Sequence, residues 1–204
     1  MLSRDKAINA FCLNQQQIKK IDQFIFEIQS YNKHVNIVGS STLLDPWKNH
    51  VIDSMQIGKF VKNNEDSILD MGTGAGIPGI ILAINNFKNV NLIDSNMKKI
   101  KFVELVCLKL NINAKIYHKR IELLLNKKFK YLVSRALANL NKLFFYSQNF
   151  LDKDTVLIFL KGKRVKYEIN EANKHWKFHH EIFPSISDKR GSVLVIRGLS
   201  RING

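Results

Sequence analysis

Cysteine is almost missing from this chain. Cys12 and Cys107 are the only two, and neither belongs to a C-x-x-C pair, so no disulfide framework or zinc knuckle is indicated and both read as core thiols. Long apolar runs are missing as well: stretches such as Ile77–Ile84 and Val156–Leu160 fall well short of the roughly 20 residues that span a bilayer. The first residues mix Arg4, Asp5 and Lys6 with scattered apolar side chains and lack the apolar core and cleavage site of a secretory signal, so a cytoplasmic location is expected. His175 and His179 stand four apart without the Glu of an H-E-x-x-H pair, in strand-like surroundings, and no metal site is expected. Internal repeats and low-complexity linkers are lacking too.

Acidic residues are scarce: 17 face 32 Lys and Arg, giving a net charge of +15. A surface that positive attracts polyanions over distances beyond contact, which makes nucleic acid the leading partner. The bland alternative is a lysine-rich proteome from an AT-rich genome, because Lys, Asn and Ile share A/T-rich codons. A length of 204 residues suits one α/β domain with a short extension, and 45% hydrophobic with 24% charged residues excludes wholesale disorder.

Periodicity divides the chain near residue 62. From Gln15 to Tyr31, Ile18, Ile21, Phe24, Ile25 and Ile28 recur at steps of three and four and predict an amphipathic helix. Asp45 and Pro46 open a second helix running to Val61 as N-cap and first helical residue. Residues 1–62 therefore read as a helical cap and residues 63–204 as a core. Within the core, short apolar runs at Ile68–Met71, Val90–Ile93, Ala114–Tyr117, Tyr131–Val133 and Thr155–Leu160 alternate with helical stretches at Lys98–Leu110 and Leu140–Leu151. Such alternation predicts βαβ units and a parallel sheet. After a polar stretch from Lys161 to Lys174, Phe178–Phe183 and Val193–Arg197 are expected as an antiparallel pair at the sheet edge.

The chemistry is carried by Ile68-Leu69-Asp70-Met71 running into Gly72-Thr73-Gly74-Ala75-Gly76-Ile77-Pro78-Gly79, with a helix beginning at Ile80. Strand, glycine turn and helix form a nucleotide-site context, because a turn without Cβ atoms lets the backbone approach a ligand closely. Asp94 ends the next strand, where a carboxylate can accept both ribose hydroxyls of a nucleoside cofactor. Two registers fit. Gly74, Gly76 and Gly79 satisfy the dinucleotide pattern G-x-G-x-x-G, whereas Asp70, Gly72, Gly74 and Gly76 satisfy the acid-x-G-x-G-x-G motif of class I methyltransferases. The second is preferred: a carboxylate before the glycines would repel a pyrophosphate but suits a cofactor with an ammonium and a sulfonium group. The nicotinamide alternative also lacks a Tyr-x-x-x-Lys pair and enough chain for a substrate domain.

On these residues, with Asn36-Ile37-Val38, His50-Val51-Ile52-Asp53-Ser54, Asp94-Ser95, Lys98-Lys99, Arg120-Ile121-Glu122, Ser134-Arg135-Ala136 and Leu160-Lys161-Gly162, the chain closely resembles the RsmG (GidB) family nearly end to end. The resemblance implies a Rossmann-like, seven-stranded doubly wound α/β sheet with an N-terminal helical extension. The implied activity is transfer of a methyl group from S-adenosyl-L-methionine to a guanine N7 of small-subunit ribosomal RNA.

It further implies that Gly72, Ile77, Ile121, Glu122 and Arg135 touch the cofactor, together with Asp70, Gly74, Gly76, Asp94 and Ser95 of the motif. Arg120, Arg135 and Lys161 would line the guanine site as catalytic residues, and Lys98, Lys99, Lys101, Lys163 and Arg190 would bind RNA. Arg190 matches a basic residue of the family only with a one-residue shift. Each basic residue has a plainer reading: Lys98, Lys99 and Lys101 as a solvated helix face, Arg120 as a surface ion pair with Glu122, and His50 with Asp53 as helix-to-sheet docking. The chain has Ser134-Arg135-Ala136-Leu137 where amine methylation commonly uses an Asn- or Asp-Pro-Pro-aromatic segment, which agrees with a ring-nitrogen target. The expected partner is ribosomal RNA or the small ribosomal subunit, and the expected state a monomer. A methyltransferase acting on another RNA site or a small molecule, and a non-catalytic RNA-binding module, are the rivals.

Overall fold

The computed structural model describes residues 3–202. Helices α1 (Arg4–Ala10) and α2 (Gln15–Asn32) lead through a π-helical turn (Trp47–Ile52) into α3 (Asp53–Gly58). There follow β1 (Ile68–Met71), α4 (Gly79–Ile84), β2 (Val90–Asp94), α5 (Met97–Lys109), β3 (Lys115–His118) and β4 (Tyr131–Arg135). The chain ends with α6 (Leu140–Ser147), β5 (Val156–Lys161), α7 (Val165–Ala172), β6 (Trp176–Pro184) and β7 (Ser192–Arg201).

The seven strands form one sheet in the order β3-β2-β1-β4-β5-β7-β6. β1 to β5 are parallel, and β7 pairs antiparallel with both β5 and β6. Side chains alternate between the faces with the strand period of two. Ile68, Leu92, Val133 and Ile158 pack with α2, α4 and α5, whereas Leu69, Ile93, Leu132 and Leu157 pack with α6 and α7. Both faces are covered, which is why the central strands read as continuous apolar runs rather than alternating ones. Apolar residues of the first 62 positions, among them Ile21, Phe24 and Met55, belong to the same core as one sheet face.

The helix predicted from Asp45 does begin there, since the Asp45 carboxylate accepts from the Lys48 amide at 3.1 Å, but its first turns widen to π geometry. Two expectations need correction. Cys12 is exposed in a left-handed turn (φ 50°) and only Cys107 is buried. The polar stretch after Lys161 contains α7, which buries Val165, Ile169 and Ala172. Their i, i+4, i+7 spacing makes one narrow stripe, diluted by the charged residues around it.

Candidate active site

Strand order reverses between β1 and β4, and ligands of open α/β sheets bind outside the carboxyl ends of the strands at that point. A cavity of about 370 Å³ lies there, lined by Ile37, Val38, His50, Gly72, Thr73, Gly74, Ala75, Ile77, Asp94, Lys99 and Arg135–Leu137. A second, of about 310 Å³, lies toward β5 and includes Asp53, Arg135, Lys161, Glu168, Ser187 and Asp188 in its lining. Arg135 and Ala136 belong to both walls.

The first cavity is shaped by backbone. Gly74 has φ 59°, where a side chain is strained, and a Cβ built on it meets nothing nearer than the Gly72 carbonyl at 3.9 Å. Open space on that side leaves the peptide free to face a ligand. Gly79 is required for the opposite reason: a Cβ there would stand 2.2 Å from Leu92 Cδ2 and 2.9 Å from Asp70 Oδ2. Asp70 is fully buried, and its Oδ2 accepts from the Thr73 hydroxyl and from the Gly79 amide at 2.9 Å, tying the two ends of the turn together. Burial pushes this carboxyl up to about 7, against the pull of those two bonds, and its Oδ1 has no partner among the described residues. Asp94 accepts from the Gly74 amide at 2.9 Å and from the Asn96 amide at 2.8 Å. A carboxylate has about four acceptor sites, so both oxygens keep capacity for hydroxyl donors.

Side chains drawn from distant parts of the sequence build the second half. Arg135, at the end of β4, places Nε 3.1 Å from Asp53 Oδ2 and Nη1 3.1 Å from His50 Nδ1. Asp53 Oδ1 accepts from Ser187 at 2.7 Å and Gln56 at 3.0 Å. Burial, and then the Arg135 charge, lowers the His50 ring to about 3, so it is neutral across the physiological range. Burial pushes the Asp53 carboxyl up while Arg135 pulls it down. Lys161 has a buried side chain whose Nζ lies 2.6 Å from Glu168 Oε2 and donates to the Ala138 carbonyl at 3.0 Å. Glu168 Oε2 also accepts from the Leu140 amide at 2.9 Å and so completes the start of α6. Between the cavities Ala136 adopts φ 52°, uncommon for a residue with a Cβ.

The residues expected at the site therefore differ in where they lie. Gly72, Gly74, Ile77, Asp94 and Arg135 line the first cavity; Gly76 and Asp70 stand behind it as parts of the same turn. Lys99, expected on RNA, shares that lining, and Lys161 lines the second cavity with its charge already paired. Arg120, Ser95, Lys98, Lys101, Lys163 and Arg190 are exposed, and none of them lines either cavity. Ile121 is buried among the α6-side residues and Glu122 is half-buried on the short turn after β3. Sequence reading left Ile37, Val38, Thr73 and Leu137 unassigned. For Ile37 and Val38 a signal existed in the Asn36-Ile37-Val38 segment, whose Ile37 and Val38 amides donate to Asn32 at 2.8 and 3.0 Å.

A glycine turn after β1, an acid at the end of β2 and a parallel sheet finished by an antiparallel pair define an S-adenosylmethionine-dependent methyltransferase of class I. Among solved structures, a mutant of MtNAS in complex with S-adenosylmethionine has the same fold at a TM-score of 0.60 and 15% identity, over 90% of this chain and 72% of that one. Ribosomal protein L11 methylase from Lactobacillus delbrueckii subsp. bulgaricus aligns at a TM-score of 0.58 and 20% identity, over 74% and 77% of the two chains. Residues 17–196 match the model of GidB, rRNA small subunit methyltransferase G, and the chain belongs to that family. Proteins called ribosomal RNA small subunit methyltransferase G are 35% identical in Rickettsia prowazekii (91% of this chain, 96% of that protein) and 32% identical in Orientia tsutsugamushi (91% and 92%).

Proposed function

We propose that this protein transfers the methyl group of S-adenosyl-L-methionine to N7 of a guanine in small-subunit ribosomal RNA. The observation that carries the reading is the pair of adjoining cavities at the switch point, one shaped by the glycine turn and Asp94, the other by basic and polar side chains, with Arg135 in both walls. The residues fit the cofactor: the Gly74 peptide leaves open space, Asp94 retains acceptor capacity for ribose hydroxyls, and the buried Asp70 Oδ1 and His50 Nε2 have no partners among the described residues. When bound, the cofactor supplies an electrophilic methyl on a sulfonium.

Guanine N7 presents a lone pair and carries no proton, so the protein's task is to hold the base in line and exclude water. The cavity side chains agree with that task. His50 is neutral, and Asp53 and Lys161 are spent on Arg135 and Glu168. Arg135 donates as a planar fork, able to bind guanine O6 while leaving N7 free. The exposed Lys98, Lys101, Lys163 and Arg190 add to the net charge of +15 that attracts the phosphate backbone.

Incubation of small ribosomal subunits, lacking the modification, with labelled cofactor and this protein should place one methyl on guanine N7, found by mass mapping of the RNA. Label in another nucleotide, in protein or in a small molecule would replace this reading with one of its rivals. RNA affinity should fall with log salt by about 0.7–0.9 per neutralised phosphate, and Lys98→Ala with Lys101→Ala should flatten that slope.

A further inference from the structure

Beyond the roles given above, His50 and Asp53 both reach Arg135, the residue common to the two cavity walls. We propose that they are positioning residues, which fix the Arg135 guanidinium in the wall between the two cavities so that its remaining N–H groups meet cofactor and RNA in a single orientation. The proposal rests on the methyl-transfer reading.

Two contacts on different nitrogens hold the planar cation: an ion pair sets Asp53 Oδ2 3.1 Å from Nε, and a hydrogen bond of 3.1 Å joins Nη1 to His50 Nδ1. A guanidinium anchored at two points cannot rotate about its stem, which a single ion pair would allow. The anchor is itself held, because Ser187 from the β6–β7 connection donates to Asp53 at 2.7 Å. Nη2 of Arg135 has no partner among the described residues, so its donors remain for a ligand in either cavity.

Docking of the helix does not account for these contacts. Val51, Ile52 and Met55, each at most 1% exposed, already seat that segment on the sheet. An ion pair with both side chains 19% exposed works against its own desolvation, and well-packed apolar residues would stabilise such a place equally well or better. The histidine is committed in the same way. A guanidinium can only donate, so Nδ1 accepts and the ring proton sits on Nε2, a buried atom with no partner among the described residues. His50 also lies within the π-helical turn, a departure from α geometry that is frequent where a helix serves a site.

The test uses the full chain with His50→Leu, His50→Asn and Asp53→Asn, each compared with wild type for kcat, for KM toward RNA and for the nitrogen-15 NMR signal of the Arg135 Nε–H. His50→Leu should lower kcat about 100-fold, the penalty for an ångström-scale misplacement, with KM for RNA changed less than about threefold. His50→Asn, whose Oδ1 can stand where Nδ1 stood, should recover about tenfold of that loss. In Asp53→Asn, loss of the carboxylate charge 3.1 Å from Nε should shift the Nε–H signal. Wild-type kcat in His50→Leu, equal losses in the Leu and Asn variants, or an unaltered Nε–H signal in Asp53→Asn would overturn the proposal. If His50→Leu does not fold, Asp53→Asn and Ser187→Ala decide it on the same readouts. A wild-type protein that methylates no RNA would sink the methyl-transfer reading, whereas the NMR signal would still judge the clamp.

Discussion

The two halves of the crevice are built by different means. Toward β1 and β2 the wall is backbone, set by nine consecutive positions from Asp70 to Pro78, with Asp94 closing it from the neighbouring strand. Toward β4 and β5 it is charge, set by Arg135 with Asp53 and His50 and by Lys161 with Glu168. A backbone cradle tied by nearby carboxylates, Asp70 and Asp94, suits a cofactor that is always the same. A wall of paired charges needs partners from elsewhere in the chain, and it can be tuned to a substrate without disturbing the turn.

The largest expected effect that separates the halves comes from Glu168→Gln. It would strand the buried Lys161 ammonium, so unfolding in urea should show a loss of about 3–5 kcal/mol. Affinity for S-adenosylhomocysteine, measured at a temperature where the variant is folded, should remain within about twofold. Adding Lys161→Met to that variant should restore much of the stability; an additive double variant would show that the pair is not coupled.

Gly74→Asp attacks the other half. It sets a carboxylate beside Asp94 in the open space of the turn, and calorimetry should show S-adenosylhomocysteine affinity falling about 100-fold, equivalent to about 3 kcal/mol. The strain of a non-glycine residue at φ 59° adds about 1–2 kcal/mol to the stability loss. Cofactor affinity equal to wild type would remove the turn from the binding site.

The smallest effect sharpens the comparison by pH. Asp70, raised by burial to about 7, binds more protons in the folded than in the unfolded chain. Its contribution to stability is therefore complete below about pH 4 and is lost as pH rises through 7. Asp70→Asn cannot titrate, so its stability relative to wild type should improve between pH 4 and 7 and stay level above. His50, lowered to about 3, slopes the opposite way over pH 3 to 6.5, which is why the difference between the two proteins, rather than the wild-type curve alone, carries the information. A difference that does not change with pH would mean that Asp70 ionises normally.

Legibility followed the same division. The glycine turn, Asp94 and all seven strands are local patterns, each contained in a dozen residues or fewer, and the sheet order confirms the parallel core with its antiparallel edge. Arg135 was legible by position, because the residue that ends an inner strand lies at the ligand edge. What holds Arg135 was not. His50 is 85 residues away from it, and Ser187 is 134 residues from Asp53, distances over which no spacing rule operates. Lys161 lies in the wall of the second cavity, but its partner Glu168 lies on α7, a helix hidden by its polar composition. Arg120 sits among motif-like sequence neighbours, and its side chain is exposed outside both cavities.

Ala136 adds one consequence. It touches both chambers, and Leu137 and Ala138 continue the partition on either side. A glycine there would relax the left-handed twist, but it would also let the corner wander among many shapes once the chain is unfolded or loosened. Keeping a methyl group at φ 52° trades a little comfort in the native state for a hinge that cannot drift, so the septum holds its form before any guest arrives.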